Sequence, residues 1–271
     1  MTTAVRPDVG ELLRGWRQRR RLSQLDLAND AGVSARHLSF LETGRSRPSR
    51  EMVLRLAERL EVPLRERNDL LLAAGFAPAY GRRGLDSPDM AAVTRALDLV
   101  LAAYEPFPAL VVDRSWELVT ANASVAPLLD GAAAHLLEPP VNVLRLSLHP
   151  EGLALRIANL PQWRAHVLHR LGREAHLTGD PQLAALHREL AALPGGTDRS
   201  TPDGIAVPLR IRAGDTVLSF LSTVTTFGTA VDLTAAELSV EAFLPADEAT
   251  AAALRAPFTG GEPAPARAVA G

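Results

Sequence analysis

The segment "GVSARHLSFLETGRSRP", residues 32–48, has the pattern of a short helix between two glycines. Ser34 can cap the first turn of this helix, and Gly44 supplies the left-handed conformation that commonly follows a last turn. The preceding stretch, "QLDLANDA", has the pattern of another short helix, for which Ser23 is a suitable N-cap. Two short helices joined by a tight turn at Gly32–Ser34 predict a helix-turn-helix.

The flanking sequence extends this pair to five helices. Upstream, "VGELLRGWRQRR" places Leu13 and Trp16 on one apolar stripe, with arginines on the opposite face. Downstream, Ser49 can cap "REMVLRLAERL", and Pro63 can begin a helix through "LRERNDLLLAAG". We therefore predict an all-α domain at residues 1–78.

The charges of the chain are divided unevenly along its length. Residues 1–85 contain 16 Arg and 10 acidic residues, whereas residues 86–271 contain 13 Arg and 21 acidic residues. A small basic half joined to a larger acidic half suggests that the first half binds a polyanion.

In a helix-turn-helix the second helix lies in the major groove of double-stranded DNA, and its first residues face the base edges. Arginine can bond guanine, and Ala or Phe can pack on a thymine methyl group. Arginines that follow the helix are suited to phosphate contacts. The alternative is a helical bundle whose arginines are only solvated. Four features favour DNA binding instead: the basic charge of the first half, the spacing of the N-caps, the length of the turn, and the arginines that follow the second helix. The residues expected to contact DNA are Gln24, Ser34, Ala35, Arg36, Ser39, Phe40, Arg45 and Arg47.

Residues 13–63 resemble the helix-turn-helix domain of the phage-repressor (Cro/C1, XRE) family. The motifs that carry the resemblance are "LSQ", "LA", "AGVS" and "LE.G...P", and they align without a gap. The resemblance implies that Gln24 contacts phosphate or a base. It also implies an ion pair between Arg17 and Glu42 that joins two helices. A homodimer on a palindromic site is expected, because one short helix buries little surface.

The second half has a different pattern. Residues 79–89 form the predicted linker, and the aromatics Phe76 and Tyr80 indicate that this region packs against part of the fold. Residues 90–256 contain an amphipathic helix, several further helices and strands that alternate around turns, as in "PLRIRAGDTVLSFLSTV". We predict an α+β domain with an antiparallel sheet, and a disordered tail at 257–271.

This half resembles the ligand-binding domain of the MmyB-like transcription regulators. The resemblance is carried by "YEPFPALVVDRSWELVTAN", "LLEPPVNVLRLSLHPEGL", "TGDPQLAALHREL" and "TTFGTAVDLTAAELSVEAFLPAD". It implies a PAS-like fold, in which a central antiparallel sheet and flanking helices enclose an apolar pocket. It also implies a fatty-acid-like ligand, with no other cofactor.

Three polar residues at helical spacing are candidates for holding a ligand carboxylate, namely Asn142, Arg145 and His149. Other roles are open to them: Asn142 can cap a helix, Arg145 can pair with Glu138, and His149 can end the helix. The apolar part of a ligand site is expected from Trp116, Trp163, Phe220 and Phe227, although such aromatics also form ordinary cores.

The sequence argues against several functional classes. The chain has no cysteine, no recognisable membrane span and no apolar leader, so we expect a cytoplasmic protein without disulfides. His166 and His169 could together hold a metal ion, but no carboxylate stands beside them at helical spacing and HExxH is lacking, so no metal is expected. No nucleophile elbow or phosphate loop is present, so an enzyme is not expected.

Three functional hypotheses remain open at this point. The first is a transcriptional regulator whose second half senses a small apolar ligand. The second is a DNA-binding protein whose acidic half only dimerises or binds another protein. The third is a catalytic domain fused to a DNA-binding module. A dry internal pocket would favour the first, and a filled core with an exposed apolar patch would favour the second.

Overall fold

The computed structural model describes residues 8–196, 198 and 206–256, and these residues form two compact units. The predicted tail at 257–271 lies outside them. Unit 1 contains the described residues up to Arg83 together with His176–Gly179 and Thr229–Ala236. Unit 2 contains the described residues of 84–175, 180–228 and 237–256. Each unit is therefore assembled from separated stretches of the chain.

Unit 1 contains the five predicted helices, and the predicted all-α class is confirmed. They are α1 Val9–Arg19, α2 Gln24–Ala31, α3 Ala35–Glu42, α4 Arg50–Arg59 and α5 Leu64–Ala73. Ser23, Ser34 and Ser49 each accept a hydrogen bond from the first turn of the helix that follows them. Asp26 completes a capping box with Ser23, and Gly32 ends α2 in the left-handed conformation, with φ of 65°. Local capping chemistry therefore sets these boundaries.

The helix-turn-helix packs tightly against α1. Leu13, Trp16, Leu38 and Leu41 are all buried in one apolar core. Gly10 allows the close approach of the two helices, because a Cβ atom there would lie 2.4 Å from the carbonyl oxygen of Leu41. Packing against α1 thus fixes the orientation of α3, and the opposite face of α3 is left to the solvent.

After α5 the chain forms a helix, two strands, three helices, two strands, a short helix, a fifth strand and a last helix. The helices are α6 Ala91–Tyr104, α7 Val143–Leu148, α8 Leu160–Thr178, α9 Pro181–Ala192, α10 Leu233–Ala236 and α11 Glu248–Arg255. The strands are β1 Ala109–Val112, β2 Leu118–Ala121, β3 Leu209–Ala213, β4 Thr216–Thr226 and β5 Ser239–Pro245. Within the described residues, no helix combines the length and apolar composition that crossing a membrane requires.

The five strands form one antiparallel sheet in the order β2-β1-β5-β4-β3. Alternate residues of its central strands face opposite sides, so Ala109 and Val111 pack with α6, whereas Leu110 and Val112 join the main core on the other side. Both faces of β1 are therefore buried. This arrangement confirms the predicted α+β class and the PAS-like organisation of a sheet with flanking helices.

Two stretches far apart in sequence complete unit 1 beside α5. The side chain of Asn68 donates to the carbonyl oxygen of Tyr80 and accepts from its N–H group, at 2.8 and 3.1 Å. The buried carboxylate of Asp232 accepts from Nη1 of Arg83 at 3.1 Å, and Leu233 donates to the carbonyl oxygen of Gly81 at 2.9 Å. Because α10 also packs on α5, the connection between β4 and β5 is part of the helical unit. The predicted linker is thus ordered up to Arg83 against unit 1.

Candidate functional sites

The exposed face of α3 carries the residues expected to contact DNA. Leu38 and Leu41 are buried, whereas Arg36 is exposed and Ala35, Ser39 and Phe40 are half-buried. Ser34 stands at the N-cap and accepts from the N–H of His37 at 3.1 Å. The N-terminal half of α3 therefore presents a small side chain, an arginine and an aromatic ring on one open surface.

A stack of cations and an aromatic ring continues this surface past the end of α3. The guanidinium carbons of Arg36 and Arg45 lie 5.4 and 6.0 Å from the centre of the Phe40 ring. Arg47 follows and is exposed. Cation–π contacts restrict the positions of the two arginines while leaving their N–H groups accessible. The surface is thus electropositive at both ends of the helix.

A buried ionic network holds α3 to α1 and α2. Glu42 accepts two hydrogen bonds from Arg17, at 2.6 and 2.8 Å, and one from the amide of Gln24 at 2.9 Å. The Arg17–Glu42 pair is the one implied by the phage-repressor resemblance. Burial raises the pKa of Glu42, but the hydrogen bonds from Arg17 and Gln24 outweigh it, so the pKa lies below its usual value. Gln24, which we expected to contact DNA, is thus also part of the scaffold.

Unit 2 contains a partly open cavity of about 390 Å³ between the sheet and α7 and α8. Cavities of roughly 300–1,000 Å³ with mostly apolar walls are typical of small-molecule sites. Here the walls are aliphatic side chains, such as Leu144 and Leu146, and the rings of Trp116 and Trp163. The apolar pocket implied by the resemblance is therefore present.

One wall of the cavity contains an ion pair. Nη1 of Arg170, on α8, donates to Oε1 of Glu241, on β5, at 2.8 Å. The guanidinium carbon of Arg170 also lies 4.4 Å from the centre of the Trp116 ring. The indole N–H of Trp116 in turn donates to Glu174 at 3.1 Å, and burial raises the pKa of Glu174. The charged atoms are thus arranged around one aromatic ring at the edge of an apolar space.

Trp116 adopts an uncommon backbone conformation for a residue with a bulky side chain, with φ of 64°. The side chain of Asp113 holds the turn by accepting from the N–H groups of Ser115 and Glu117, at 2.8 and 2.9 Å. Residues held in sparsely populated conformations occur preferentially at functional sites. The turn aims the indole ring into the cavity wall.

A second aromatic pair lies nearer the N-terminal end of α8. His166 stacks on Trp163, with 5.4 Å between ring centres, and the indole N–H of Trp163 donates to Ser147 at 3.0 Å. Burial lowers the pKa of His166, and the positive charges of Arg170 and His169 lower it further. His166 is therefore neutral near pH 7, and it does not add a positive charge to the cavity.

The three polar residues expected to hold a ligand carboxylate lie outside the cavity. Asn142 caps α7 by accepting from the N–H of Arg145 at 3.0 Å, and it donates to the carbonyl oxygen of Ser115 at 2.8 Å. Arg145 makes a bidentate pair with Glu189, at 2.6 and 2.9 Å, and not with Glu138. His149 is the C-cap of α7. Neighbouring positions of α7 line the cavity, so helical geometry turns these three residues to the other face.

Two of the four aromatic residues expected at the ligand site line the cavity, and the other two lie elsewhere in unit 2. Trp116 and Trp163 line the cavity. Phe220 is completely buried on β4, where it packs edge-on against Phe243 at 6.5 Å between ring centres, but it is not part of the cavity wall. Phe227 packs with the cluster on the α6 side of the sheet. Phe220 and Phe227 are therefore core residues here.

Among the described residues, one group has the donor set of a metal site. Ligand atoms of His135, His149 and Glu151 lie within 4.8 Å of one another on the surface. Nδ1 of His149 accepts from the N–H of Glu151 at 3.1 Å, so one of its two nitrogens is used within the loop. His135 and Glu151 are exposed, and no feature of the cavity involves this group. The absence of a resident metal therefore stays a prediction.

Arg170 and Glu241 are cavity residues, joined as an ion pair, that the sequence did not identify. A signal for both was present. Trp163, Val167 and Arg170 follow the 3.6-residue period along one face of α8, and Glu241 lies two positions before Phe243 on the same face of β5. A charged residue on the inward face of a helix or strand is expected to have a partner of opposite charge. The sequence alone does not show that α8 and β5 pack together, so it could not identify the two residues as partners.

Both halves of the chain match known protein families. Residues 93–256 match the MmyB-like transcription regulator ligand binding domain, and residues 8–70 match a helix-turn-helix domain. No curated protein matches. One solved chain, described as "Structure of an RNA-binding Light-Oxygen-Voltage Receptor", is 16% identical with a TM-score of 0.25; the alignment covers 91% of this chain and only 60% of that one. Because the ligand-binding match spans more than half of the chain, the protein belongs to the family of MmyB-like transcription regulators.

Proposed function

We propose that this helix-turn-helix regulator senses a small apolar ligand, such as an acyl chain, and that occupancy of the cavity in unit 2 changes its affinity for DNA. The observation that carries the proposal is the apolar cavity of about 390 Å³, which a dimerisation or protein-interaction module would not need. It acts by binding and not by catalysis. Purified full-length protein, extracted and analysed by mass spectrometry, is expected to release an apolar small molecule in stoichiometric amount.

DNA is bound as a homodimer through α3 of each protomer. Two half-sites about 34 Å apart are expected, because two recognition helices must enter successive major grooves on one side of the duplex. Arg36 reads base edges, whereas Arg45 and Arg47 contact phosphates. The half-buried Phe40, flanked by two arginines, packs on a thymine methyl group.

Replacing Arg36 by alanine is expected to weaken specific DNA binding by about 1–3 kcal/mol and to relax the preference at one base position. Replacement of Arg47 by alanine is the matched control, since it removes another exposed arginine from the phosphate-facing end. That variant should weaken binding to all sequences about equally and reduce the salt dependence. Binding measured over a randomised operator library at several salt concentrations separates the two outcomes. An unchanged base preference in Arg36→Ala would contradict this assignment.

The ligand signal passes along the chain through Thr229–Ala236. This segment belongs to unit 1, and it leads directly into β5, which carries Glu241 on the cavity wall. A ligand shifts DNA affinity only to the extent that it binds the two conformations with different affinities. Displacement of β5 on ligand binding would supply such a difference, because its N-terminal connection is anchored beside α5 by Asp232.

Replacing Asp232 by alanine is therefore expected to uncouple DNA binding from ligand binding. The wild-type ligand effect on DNA affinity should lie in the ordinary range of about 5–150-fold, and it should fall towards 1-fold in the variant. Asp215→Ala, in the exposed turn between β3 and β4, is the matched control and should retain full coupling. DNA titrations with and without ligand check this. Full coupling in Asp232→Ala would show that the signal takes another route.

A further inference from the structure

The charges that line the cavity are already balanced. Among the cavity-lining residues described, the titratable ones are His166, Arg170 and Glu241. Arg170 and Glu241 neutralise each other at 2.8 Å, and His166 is neutral because its pKa is lowered. A ligand that enters this space therefore meets no uncompensated positive charge.

Burial and strand pairing hold Glu241 next to Arg170. Its side chain is only 7% exposed, and its backbone lies in β5, where it is paired with Leu110 of β1 on one side and Val224 of β4 on the other. A ligand carboxylate bound at Arg170 would leave the carboxylate of Glu241 buried and without its partner. Breaking a buried ion pair in this way is strongly destabilising.

Arg170 nevertheless has hydrogen-bonding capacity to offer. A guanidinium group has five N–H donors, and within the described part of the chain one of them makes a hydrogen bond, to Glu241. The Arg170 side chain is 28% exposed and lines the cavity. An uncharged acceptor can therefore bond to Arg170 while the ion pair stays intact, and a hydroxyl group can in addition donate to Glu241.

We propose that the Arg170–Glu241 pair makes the cavity selective for apolar ligands with an uncharged hydrogen-bonding end, such as an alcohol, ester or amide, over the corresponding carboxylic acids. This inference rests on the proposed function of the cavity as a ligand site. It replaces the carboxylate clamp that the sequence placed at Arg145, and it makes Glu241 the residue that excludes acids.

The test compares dodecanol, methyl dodecanoate and dodecanoate as competitors of the neutral fluorescent probe N-phenylnaphthylamine, bound to the full-length protein at neutral pH. We expect the alcohol and the ester to bind at least about tenfold more tightly than the acid. Glu241→Gln keeps the size of the side chain but removes the carboxylate that Arg170 is hydrogen-bonded to, so the preference of this variant should shift towards the acid. Glu189→Gln, which removes the partner of Arg145 outside the cavity, should keep the wild-type preference.

The outcomes separate the two proposals. If no competitor displaces the probe from the wild-type protein, the cavity is not a site for such ligands, and both proposals are overturned. If the competitors bind but the acid binds as tightly as the alcohol, the proposed function stands and the selectivity inference is overturned. The wild-type comparison decides this even if Glu241→Gln does not fold. A folded Glu241→Gln protein that keeps the wild-type preference would likewise overturn the role of Glu241.

Discussion

Replacing Glu42 by alanine is expected to lower the free energy of unfolding of unit 1 by about 3–5 kcal/mol, because the substitution leaves the buried guanidinium of Arg17 without its partner. The side chain of Glu42 is 1% exposed and that of Arg17 is 11% exposed, so water cannot replace the lost hydrogen bonds. Gln24 loses its acceptor as well. Since α3 is held to α1 and α2 by this network, DNA binding should fall together with stability.

The matched control is Glu51→Ala. Glu51 pairs with Arg55 one turn away at 3.2 Å, but its side chain is 83% exposed, and exposed pairs contribute only about 0–1 kcal/mol. Amide hydrogen exchange in the full-length protein reports the opening of α1–α4 separately from unit 2. If exchange from these helices is equally fast in Glu42→Ala and Glu51→Ala, the ionic network does not stabilise the fold.

The same network predicts a pH dependence. The pKa of Glu42 is lower in the folded protein than in the unfolded chain, so its contribution is present above the unfolded value, near 4.3, and is lost as the pH falls through the folded value. Glu42→Gln cannot titrate at this position. The stability difference between wild type and Glu42→Gln should therefore narrow as the pH is lowered below about 4. A constant difference down to strongly acidic pH would contradict the lowered pKa.

Replacing Ala121 by tryptophan is expected to abolish ligand binding, with a loss of at least about 100-fold in affinity, or about 2.7 kcal/mol. Ala121 lies on the edge strand β2 and lines the cavity. The indole group is among the largest side chains, and at this position it would occupy space inside a cavity of about 390 Å³. Because the ring fills empty volume, the variant should remain folded and should still bind operator DNA.

Ala213→Trp is the control for this variant. Ala213 lies on β3, at the other edge of the sheet, and is not part of the cavity wall. Competition between N-phenylnaphthylamine and dodecanol measures the affinity, and circular dichroism checks that both variants are folded. Unchanged affinity in Ala121→Trp would mean that the ligand binds at another place.

The helix-turn-helix could be predicted in detail because its signals are local. Ser23, Ser34 and Ser49 fall at the N-caps, and a glycine with positive φ ends α2, all within a few residues of the helices they bound. Two of the strand pairs, β1 with β2 and β3 with β4, could also be predicted, since short turns such as the one at Gly214 join them. Hydrogen bonds within a few residues depend little on the rest of the fold, so sequence spacing suffices to locate them.

The ligand site could be predicted only in part, because its chemistry depends on contacts between distant elements. Trp116 and Trp163 were recognised as aromatic walls, but Asn142, Arg145 and His149 were grouped by spacing on α7 without knowledge of which face looks inward. Leu144 and Leu146 occupy that inward face, and Arg145 finds Glu189 on α9 instead. Arg170 and Glu241 are separated by 71 positions, and no local pattern links them.

The inclusion of Thr229–Ala236 in unit 1 has a consequence for protein synthesis. Helices α1–α5 leave the ribosome long before this segment is translated, at rates of about 5–20 residues per second. During that interval the surface of α5 that α10 later covers is open, and Asp232 has not yet been made to pair with Arg83. The nascent chain can thus form its five-helix bundle early, but unit 1 becomes complete only after Thr229–Ala236 has been translated. A polypeptide released prematurely would carry an unfinished DNA-binding module, with an exposed surface that proteases and chaperones can recognise.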